Sequence, residues 1–439
     1  MPDPQSPRTQ PRLKIGFVHR FDARNIRSWS GIFFFMSRAL ESHVGEVVYL
    51  GPDESAGTKF IVDNIARLNR VWLWLTSHSL ATDHNRLLSH RLGRFFERRL
   101  RESPCDILFA PVGSVEIANL RTDLPIVYYS DLTWDQIIEY YPDYSSISSF
   151  GKIEGERIEA AAIRCAKAAV YPSNWAADSA CNHYGASRET TVKVSFGANL
   201  NDPPSREAAL QRSIGPTVKL LLVGVNWERK GGAIALECLT HLLDSGVDAE
   251  LTILGCKPPS GIEHKRMRVI PFLSKHDPEQ RKQIAQLFLD AHFMLLPTRA
   301  DATPIVISEA SAFGLPTLGS DTGGLRGSIR EGVNGFLLPF EAPGNAYADT
   351  IIRVIADPQK YDDLVVASRD EFENHLNWDV WGRSMRSIME RVLNHKIEHA
   401  ETSEGLFPVR AAGMHSVSSQ LDRKSSENSA NQTAEVSRI

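Results

Sequence analysis

From residue 13 onward, short apolar runs alternate with longer stretches whose apolar positions recur every three or four residues. "LKIGFVH" and "EVVYLGP" are runs of the first kind, and "GIFFFMSRALESH" between them is of the second. A short apolar run with polar flanks predicts a buried strand, and a longer one with helical period predicts a helix. Strand, helix, strand at this spacing is a βαβ unit, so the strands are expected to lie parallel. The rhythm continues through "DILFAP", "PIVYYS", "AAVYPS" and "TVKVSF", with helical stretches at 154–167 and 174–184. Around 200–214 it breaks, where "LNDPPSREAALQRSIG" has the prolines and polar residues of a linker.

Beyond the linker the alternation restarts with "VKLLLVGV", a helix near 232–245, "AELTILG", "RVIPF", a helix near 278–290 and "HFMLLP". Residues 344–396 read as helices. The expected fold class is α/β, as two doubly wound domains of similar size that face each other across a cleft. The boundaries read as a flexible arm at 1–11, a first domain at 12–205, a second at 206–385 and a C-terminal helix at 386–401. The tail at 402–439 is serine-rich and nearly free of large apolar side chains, so disorder is expected there.

Composition narrows the class. A length of 439 residues favours two cores over one, and 42% hydrophobic residues are ample for burial. A net charge of −4 argues against nucleic acid as a partner of the whole surface. Five scattered cysteines without a C-x-x-C pair suit reduced thiols rather than a disulfide framework or a zinc ribbon. The start "MPDPQSPRTQPR" lacks the apolar core of a secretory signal, and runs such as "GIFFFM" are too short to span a bilayer. A cytoplasmic location is expected.

Ligands of open α/β sheets bind at the carboxyl ends of strands, which directs attention to three loops. In "RADATPIVISEASAFGLP", Asp301 and Glu309 flank the start of a short helix. Thr303 reads as its N-cap and Pro304 as its first residue, leaving free N–H groups at the positive helix end. Val306, Ala310 and Phe313 share a face expected to be buried, Glu309 lies at the edge of that stripe, and Gly314 ends the helix. In "LPTLGSDTGG", Gly323 and Gly324 follow the next strand, where bare backbone can approach an anion. In "LLLVGVNWERKGG", a strand delivers Arg229 and Lys230, which suit a pyrophosphate. Each loop alone is also what a capped helix, a tight turn or a solvated basic turn looks like. No D-x-D pair occurs to hold a divalent ion, so the basic pair is the expected counter-charge and no metal or other cofactor is expected.

The run "PTRADATPIVISEASAFGLPTLGSDTGG" resembles the donor-site signature of family 4 glycosyltransferases, a retaining group with the GT-B fold of two Rossmann-like domains. "SWSGIFFFMSRALE", "VSFGANL" and "LLLVGVNWERKGG" match in order, so the resemblance covers about residues 13–390. It implies a nucleoside-diphosphate sugar as donor substrate and a glycan or lipid-linked glycan as acceptor, as in polysaccharide biosynthesis. Glu309 would hold the ribose hydroxyls, and Asp301 would sit beside the donor sugar. Arg229, Lys230, Gly323, Gly324 and Gly31 would meet the diphosphate, and Phe272 and Leu273 the base. Three positions depart from the pattern: Asp301 stands where glutamate is usual, Val225 where many relatives have arginine, and Asp131 where many have histidine. Asp131 is a candidate for orienting acceptor or donor sugar. The resemblance also admits another enzyme on this scaffold, an epimerase or phosphorylase, or a silent nucleotide-sugar binder.

One further stretch bears on the acceptor. Residues 84–101, "HNRLLSHRLGRFFERRLR", interleave six arginines with Leu and Phe. Such a helix either touches an anionic membrane or packs Leu92, Phe95, Phe96 and Leu100 into the core with its arginines in solvent.

Overall fold

The computed structural model describes residues 12–394 and 407–408. The chain begins with β1 (Lys14–Phe17), α1 (Ile32–His43), β2 (Glu46–Tyr49), α2 (Ala56–Thr76) and α3 (Arg86–Glu102). Next come β3 (Ile107–Pro111), α4 (Ser114–Ile117), β4 (Ile126–Tyr129), α5 (Trp134–Tyr140) and α6 (Ser149–Cys165). β5 (Ala168–Tyr171), α7 (Asn174–Asn182) and β6 (Thr191–Lys193) complete the first unit. The second runs through α8 (Arg206–Leu210), β7 (Val218–Val223), α9 (Gly232–Asp244), β8 (Ala249–Leu254), β9 (Met267–Ile270) and α10 (Pro278–Asp290). It continues with β10 (Phe293–Leu296), α11 (Ile305–Ala312), β11 (Thr317–Ser320), β12 (Gly335–Leu338), α12 (Gly344–Ile355) and α13 (Pro358–Asn374). Last are α14 (Trp378–Asn394) and the two-residue β13 (Phe407–Pro408).

The strands form two sheets, ordered β13-β6-β5-β4-β3-β1-β2 and β12-β11-β10-β7-β8-β9. Among the described residues every strand pairing is parallel except that of β13 with β6. β3, β4, β5, β10 and β11 are buried at every residue, as parallel strands covered on both faces must be. The fold is therefore two Rossmann-like α/β units. In each sheet the winding reverses beside its first strand, between β1 and β3 in one and between β7 and β10 in the other. Such reversals open a crevice at the carboxyl ends.

The chain does not finish on the second unit. α14 starts at Trp378, eight residues before the expected C-terminal helix, and returns to the first unit. Trp381, Met385, Ile388 and Met389 are buried there with Phe109, Tyr129 and α1. The 378–392 segment carries apolar residues at helical spacing, so it buries a face wherever one is offered, and the first sheet offers it. The arm at 1–11 and most of the 402–439 tail lie outside the described residues; within that tail, 407–408 form β13.

The apolar face of 84–101 is turned inward. Leu88, Leu92 and Phe96 are fully buried beneath α3, while Phe95 and Leu100 pack at that core's margin. Arg91 donates to Ser55 Oγ (3.0 Å) and Thr58 Oγ1 (3.3 Å), and Arg99 to the carbonyl of Leu50 (3.1 Å). Leu87 remains exposed on this helix.

Candidate active site

β7, β10 and β11 are neighbours in the second sheet, so the loops that follow them meet at one edge of the crevice. Backbone bonding ties the first two together, with the N–H of Arg299 donating to the carbonyl of Arg229 at 2.7 Å. Asp301 is the centre of the cluster. Its Oδ2 lies 2.5 Å from Lys230 Nζ, its Oδ1 accepts from Arg229 Nη1 at 3.3 Å, and Thr298 Oγ1 is 3.3 Å from Oδ2. Arg229 Nη1 also donates to the carbonyl of Ala300 (2.8 Å). Lys230 is 7% exposed and Asp301 8%, so this pair is held away from bulk water.

Three glycines set the wall. Gly231 has φ +73°, and a Cβ there would lie 2.0 Å from the carbonyl oxygen of Pro297, which keeps β7 and β10 ends in contact only with glycine. Gly323 has φ +54°, and its Cβ would meet Asp301 O at 2.2 Å and Tyr140 Oη at 2.3 Å. Gly324 packs as closely on the carbonyl of Ala302. Arg229, Lys230, Asp301, Gly323 and Gly324 are thus brought together.

Tyr140 and the following Tyr141 reach this cluster from the first unit, and the sequence reading did not foresee them. Tyr140 Oη accepts from the N–H of Asp301 (2.9 Å), donates toward its carbonyl (3.1 Å) and pairs with Thr322 Oγ1 (3.0 Å). Tyr141 Oη accepts from the N–H of Ala302 (2.8 Å). The only signal in the sequence is the doublet "EYYP", a pair of amphipathic rings ahead of a proline.

Glu309 is 3% exposed, deeper than the stripe's edge, because every residue of α11 from Val306 to Ala312 is buried. Its carboxylate pairs with Lys275, a second unforeseen residue, on the loop after β9. Phe272 and Leu273 share that loop; Phe272 is 65% exposed and Leu273 packs at the margin of the core. Lys275 therefore joins the loop of the base candidates to the ribose candidate. The helix start also differs from expectation. Pro304, not Thr303, is the N-cap, and Thr303 Oγ1 turns instead to the carbonyl of Ala302 (2.8 Å), leaving the first N–H groups of α11 without a side-chain cap. At the other end Gly314 has φ +61°, with Leu315 N–H returning to Ala310 O, so the helix stops as expected.

Asp131 follows β4 in the first unit and lines a cavity of about 340 Å³ with Trp29, His84, Trp134, Tyr141 and Glu159. Burial pushes its carboxyl up to about 7, its own backbone N–H opposes this, and the Asp301 carboxylate adds to the rise. Glu159, also pushed up to about 7 by burial, accepts from Tyr128 Oη at 2.9 Å. His84 stacks 4.3 Å from Trp134, and burial lowers it to about 4. Two residues lining the cavity hold left-handed backbone, Trp29 (φ 46°) and Val112 (φ 42°), an outlier for a β-branched side chain. Gly31 caps α1 with φ +86° beside Ile26 and Asn199, and Asn199 Nδ2 ties the preceding Ser30 carbonyl at 2.9 Å. The neighbours of Gly31 thus belong to the first unit, and neither Arg229 nor Lys230 is among them. Among the described residues, Asp135, Glu156 and His183 could together hold a metal ion; they lie on α5, α6 and just after α7, outside the Asp301 cluster.

The likeness to known proteins bears on this edge, where two cations share one carboxylate between close-packed glycines. Residues 217–357 match the family model described as glycosyl transferases group 1. The second unit is thus similar to a group 1 glycosyltransferase domain. The chain is 29% identical over 199 residues to a D-inositol 3-phosphate glycosyltransferase of Streptomyces bingchenggensis (strain BCW-1), covering 42% of this chain and 44% of that protein. It is 26% identical over 202 residues to the amylovoran biosynthesis glycosyltransferase AmsK of Erwinia amylovora, covering 44% and 49%. The chain thus spans about half the length of these relatives or less. Among solved structures, the lipopolysaccharide outer core galactosyltransferase WaaB, apo form, has a TM-score of 0.56 at 16% identity, covering 87% of this chain and 99% of that one. Anabaena Alr3699/HepE, solved in complex with UDP and glucose, has 0.56 at 15%, covering 86% and 99%. These likenesses extend the GT-B architecture over both units.

Proposed function

We propose that the protein is a retaining glycosyltransferase that moves a sugar from a nucleoside diphosphate to an acceptor hydroxyl on a glycan or lipid-linked glycan. The observation that carries this reading is the convergence of Arg229, Lys230, Gly323 and Gly324 on Asp301 at three adjacent strand ends. A diphosphate there would meet two cations and a glycine turn, fixed groups that stabilise charge growing on a leaving group. Both cations already face Asp301. An incoming diphosphate competes for them and turns the carboxylate toward a donor-sugar hydroxyl. Glu309 takes the ribose hydroxyls once Lys275 yields, and the 271–274 backbone meets the base.

The acceptor attacks from the face that the diphosphate leaves, and the departing diphosphate takes its proton. The protein contributes position and charge rather than a covalent step. A carboxyl with its pKa near 7 is partly protonated at neutral pH, so Asp131 can donate a hydrogen bond where an ordinary aspartate only accepts. Tyr140 and Tyr141 clamp the units together across the crevice and keep water from the donor. The counter-charges come from Arg229 and Lys230, so turnover is expected without a divalent ion. The names of the relatives support the transferase half of this reading, and the expected setting is glycan synthesis in the cytoplasm.

The test is a thermal-shift panel of nucleotide sugars in EDTA, followed by donor hydrolysis on any hit. A ligand at about 100 times its Kd adds about 2.7 kcal/mol, enough to raise the melting point by a few degrees. A metal-independent shift with slow hydrolysis is expected. A shift without turnover, even with acceptors added, would make the protein a nucleotide-sugar binder. No shift with any donor would contradict the donor site.

A further inference from the structure

α2 was not legible as a helix, and it carries the most exposed apolar surface of the described residues. Its first half packs on α3 through Ile61 and Val62. From Ala66 onward the helix leaves the body. Arg67, Leu68 and the unbroken run from Arg70 to Leu75 are all exposed, with Trp74 at 82%. Asn69 is the tether, its Oδ1 accepting from the N–H of Leu80 at 2.6 Å. Ten helical residues extend about 15 Å, so "VWLWL" ends a short apolar post.

The patch continues onto a second element. Ser79 N–H donates to Ser146 O and Ser148 N–H to Ser79 O, both at 2.8 Å, which sets the end of α2 beside the start of α6. There Phe150 and Ile153 are exposed, and Leu87 is exposed beside Arg86, whose N–H meets Glu154 at 3.4 Å. Behind this surface lies the small core of Ala81, Trp134, Ile138 and Ile147, and behind that the Asp131 cavity.

We infer that residues 66–75 of α2, with Phe150 and Ile153, dock the first unit on an anionic lipid surface. Three features select lipid over a protein partner. Five consecutive exposed apolar residues cover every side of a helix turn, which a fluid interface can surround and one rigid face cannot. Two of the five are tryptophans, whose rings favour the headgroup level. Arg67 and Arg70 lie on the stripe of Trp74, and residues 56–101 carry nine Lys or Arg against three Asp or Glu in a chain of net charge −4. Of these, Arg67 and Arg70 are exposed on the post itself, at the level where lipid phosphates would be. No helix among the described residues is long and apolar enough to cross a membrane, so docking is at the surface. The Asp131 cavity then lies one small core away from the docked surface. Docking is read without turnover, so it stands or falls apart from the donor-site reading.

The experiment is flotation of the full chain with vesicles of phosphatidylcholine alone or mixed with phosphatidylglycerol. Wild type is expected to float with the anionic vesicles, less so with neutral ones, and to be released as salt rises. Trp74→Glu with Leu75→Glu should lower the partition coefficient at least tenfold while the melting point is unchanged, since both positions are exposed. Trp72→Phe with Trp74→Phe should still float but lose the blue shift of tryptophan emission. Wild type that floats with neither vesicle, or a double Glu variant that floats equally well, overturns the inference. So does a concentration-dependent dimer that the Glu variant abolishes, which would assign the post to a second copy of this chain.

Discussion

The two sides of the crevice are built from different materials. On the second unit, charges are paired and glycines bring backbone against backbone: Lys230 and Arg229 on Asp301, Lys275 on Glu309, Gly323 beneath Tyr140. On the first unit, Asp131 and Glu159 have no paired cation among the described residues, sit among Trp29, Trp134 and Tyr141, and have their carboxyls pushed up to about 7 by burial. A nucleoside diphosphate is a fixed object, and recognising it demands cations and bare amides at fixed places. An acceptor is recognised by shape and by a few neutral hydrogen-bonding groups, which aromatic walls and protonated acids supply. Under the proposed function, the second unit's side is a charge-exchange site for the donor and the first unit's side a nearly neutral pocket for the acceptor.

The largest expected effect breaks the donor side. Glu309→Ala should weaken nucleoside diphosphate binding at least a hundredfold by calorimetry, through lost ribose contacts and an unpaired Lys275. Unchanged affinity would remove Glu309 from the site. Asp301→Ala should cut turnover about a hundredfold or more while nucleotide affinity changes less, because the diphosphate replaces the carboxylate at Lys230 and Arg229. The same change should destabilise the free protein by about 3 kcal/mol, the order expected when a buried ion pair loses one partner. A turnover assay measures the first effect and denaturation with and without nucleoside diphosphate the other two, and equal melting of wild type and variant would remove the buried pair from the account.

Tyr140→Phe tests the link between the two sides. Losing its hydroxyl contacts to Asp301 and Thr322 should raise donor KM about tenfold, near the 1 to 2 kcal/mol of one or two hydrogen bonds. An unaltered KM would leave the clamp without a role in donor binding.

The smallest effect is a pH slope. The Asp131 carboxyl is raised from 3.8 to about 7 in the fold, so the folded chain binds the extra proton between those values. The stability this contributes is full below about pH 4, falls as pH rises toward 7 and is gone above it. The difference in melting point between wild type and Asp131→Asn should follow that course. In kcat/KM, wild type should decline through about pH 7 and the variant should show a flatter profile. Identical profiles would make Asp131 a bystander.

How far the sequence could be read follows the same contrast. The strand-helix rhythm showed the α/β class because a parallel strand buried on both faces is a continuous apolar run. The strand-end loops stood out because their residues are close in sequence. Tyr140 and Tyr141 act on partners 161 positions away, and nothing local marks such a contact. Lys275 was likewise one more loop lysine until Glu309 was seen beneath it. α14 was cut at 386 because its amphipathic pattern shows that a face is buried without saying against which sheet. α2 was missed because its last turns are apolar on all sides and have no period to detect. Thr303 had the chemistry of an N-cap, yet Pro304 took the position once the loop bent to meet Tyr141.

The most direct test of the central claim is a crystal structure of the chain with a nucleoside diphosphate bound. The account predicts the diphosphate between Arg229, Lys230 and the Gly323–Gly324 turn, the Lys230–Asp301 pair opened, and Glu309 on the ribose in place of Lys275. A diphosphate bound elsewhere, with both ion pairs intact, would contradict it.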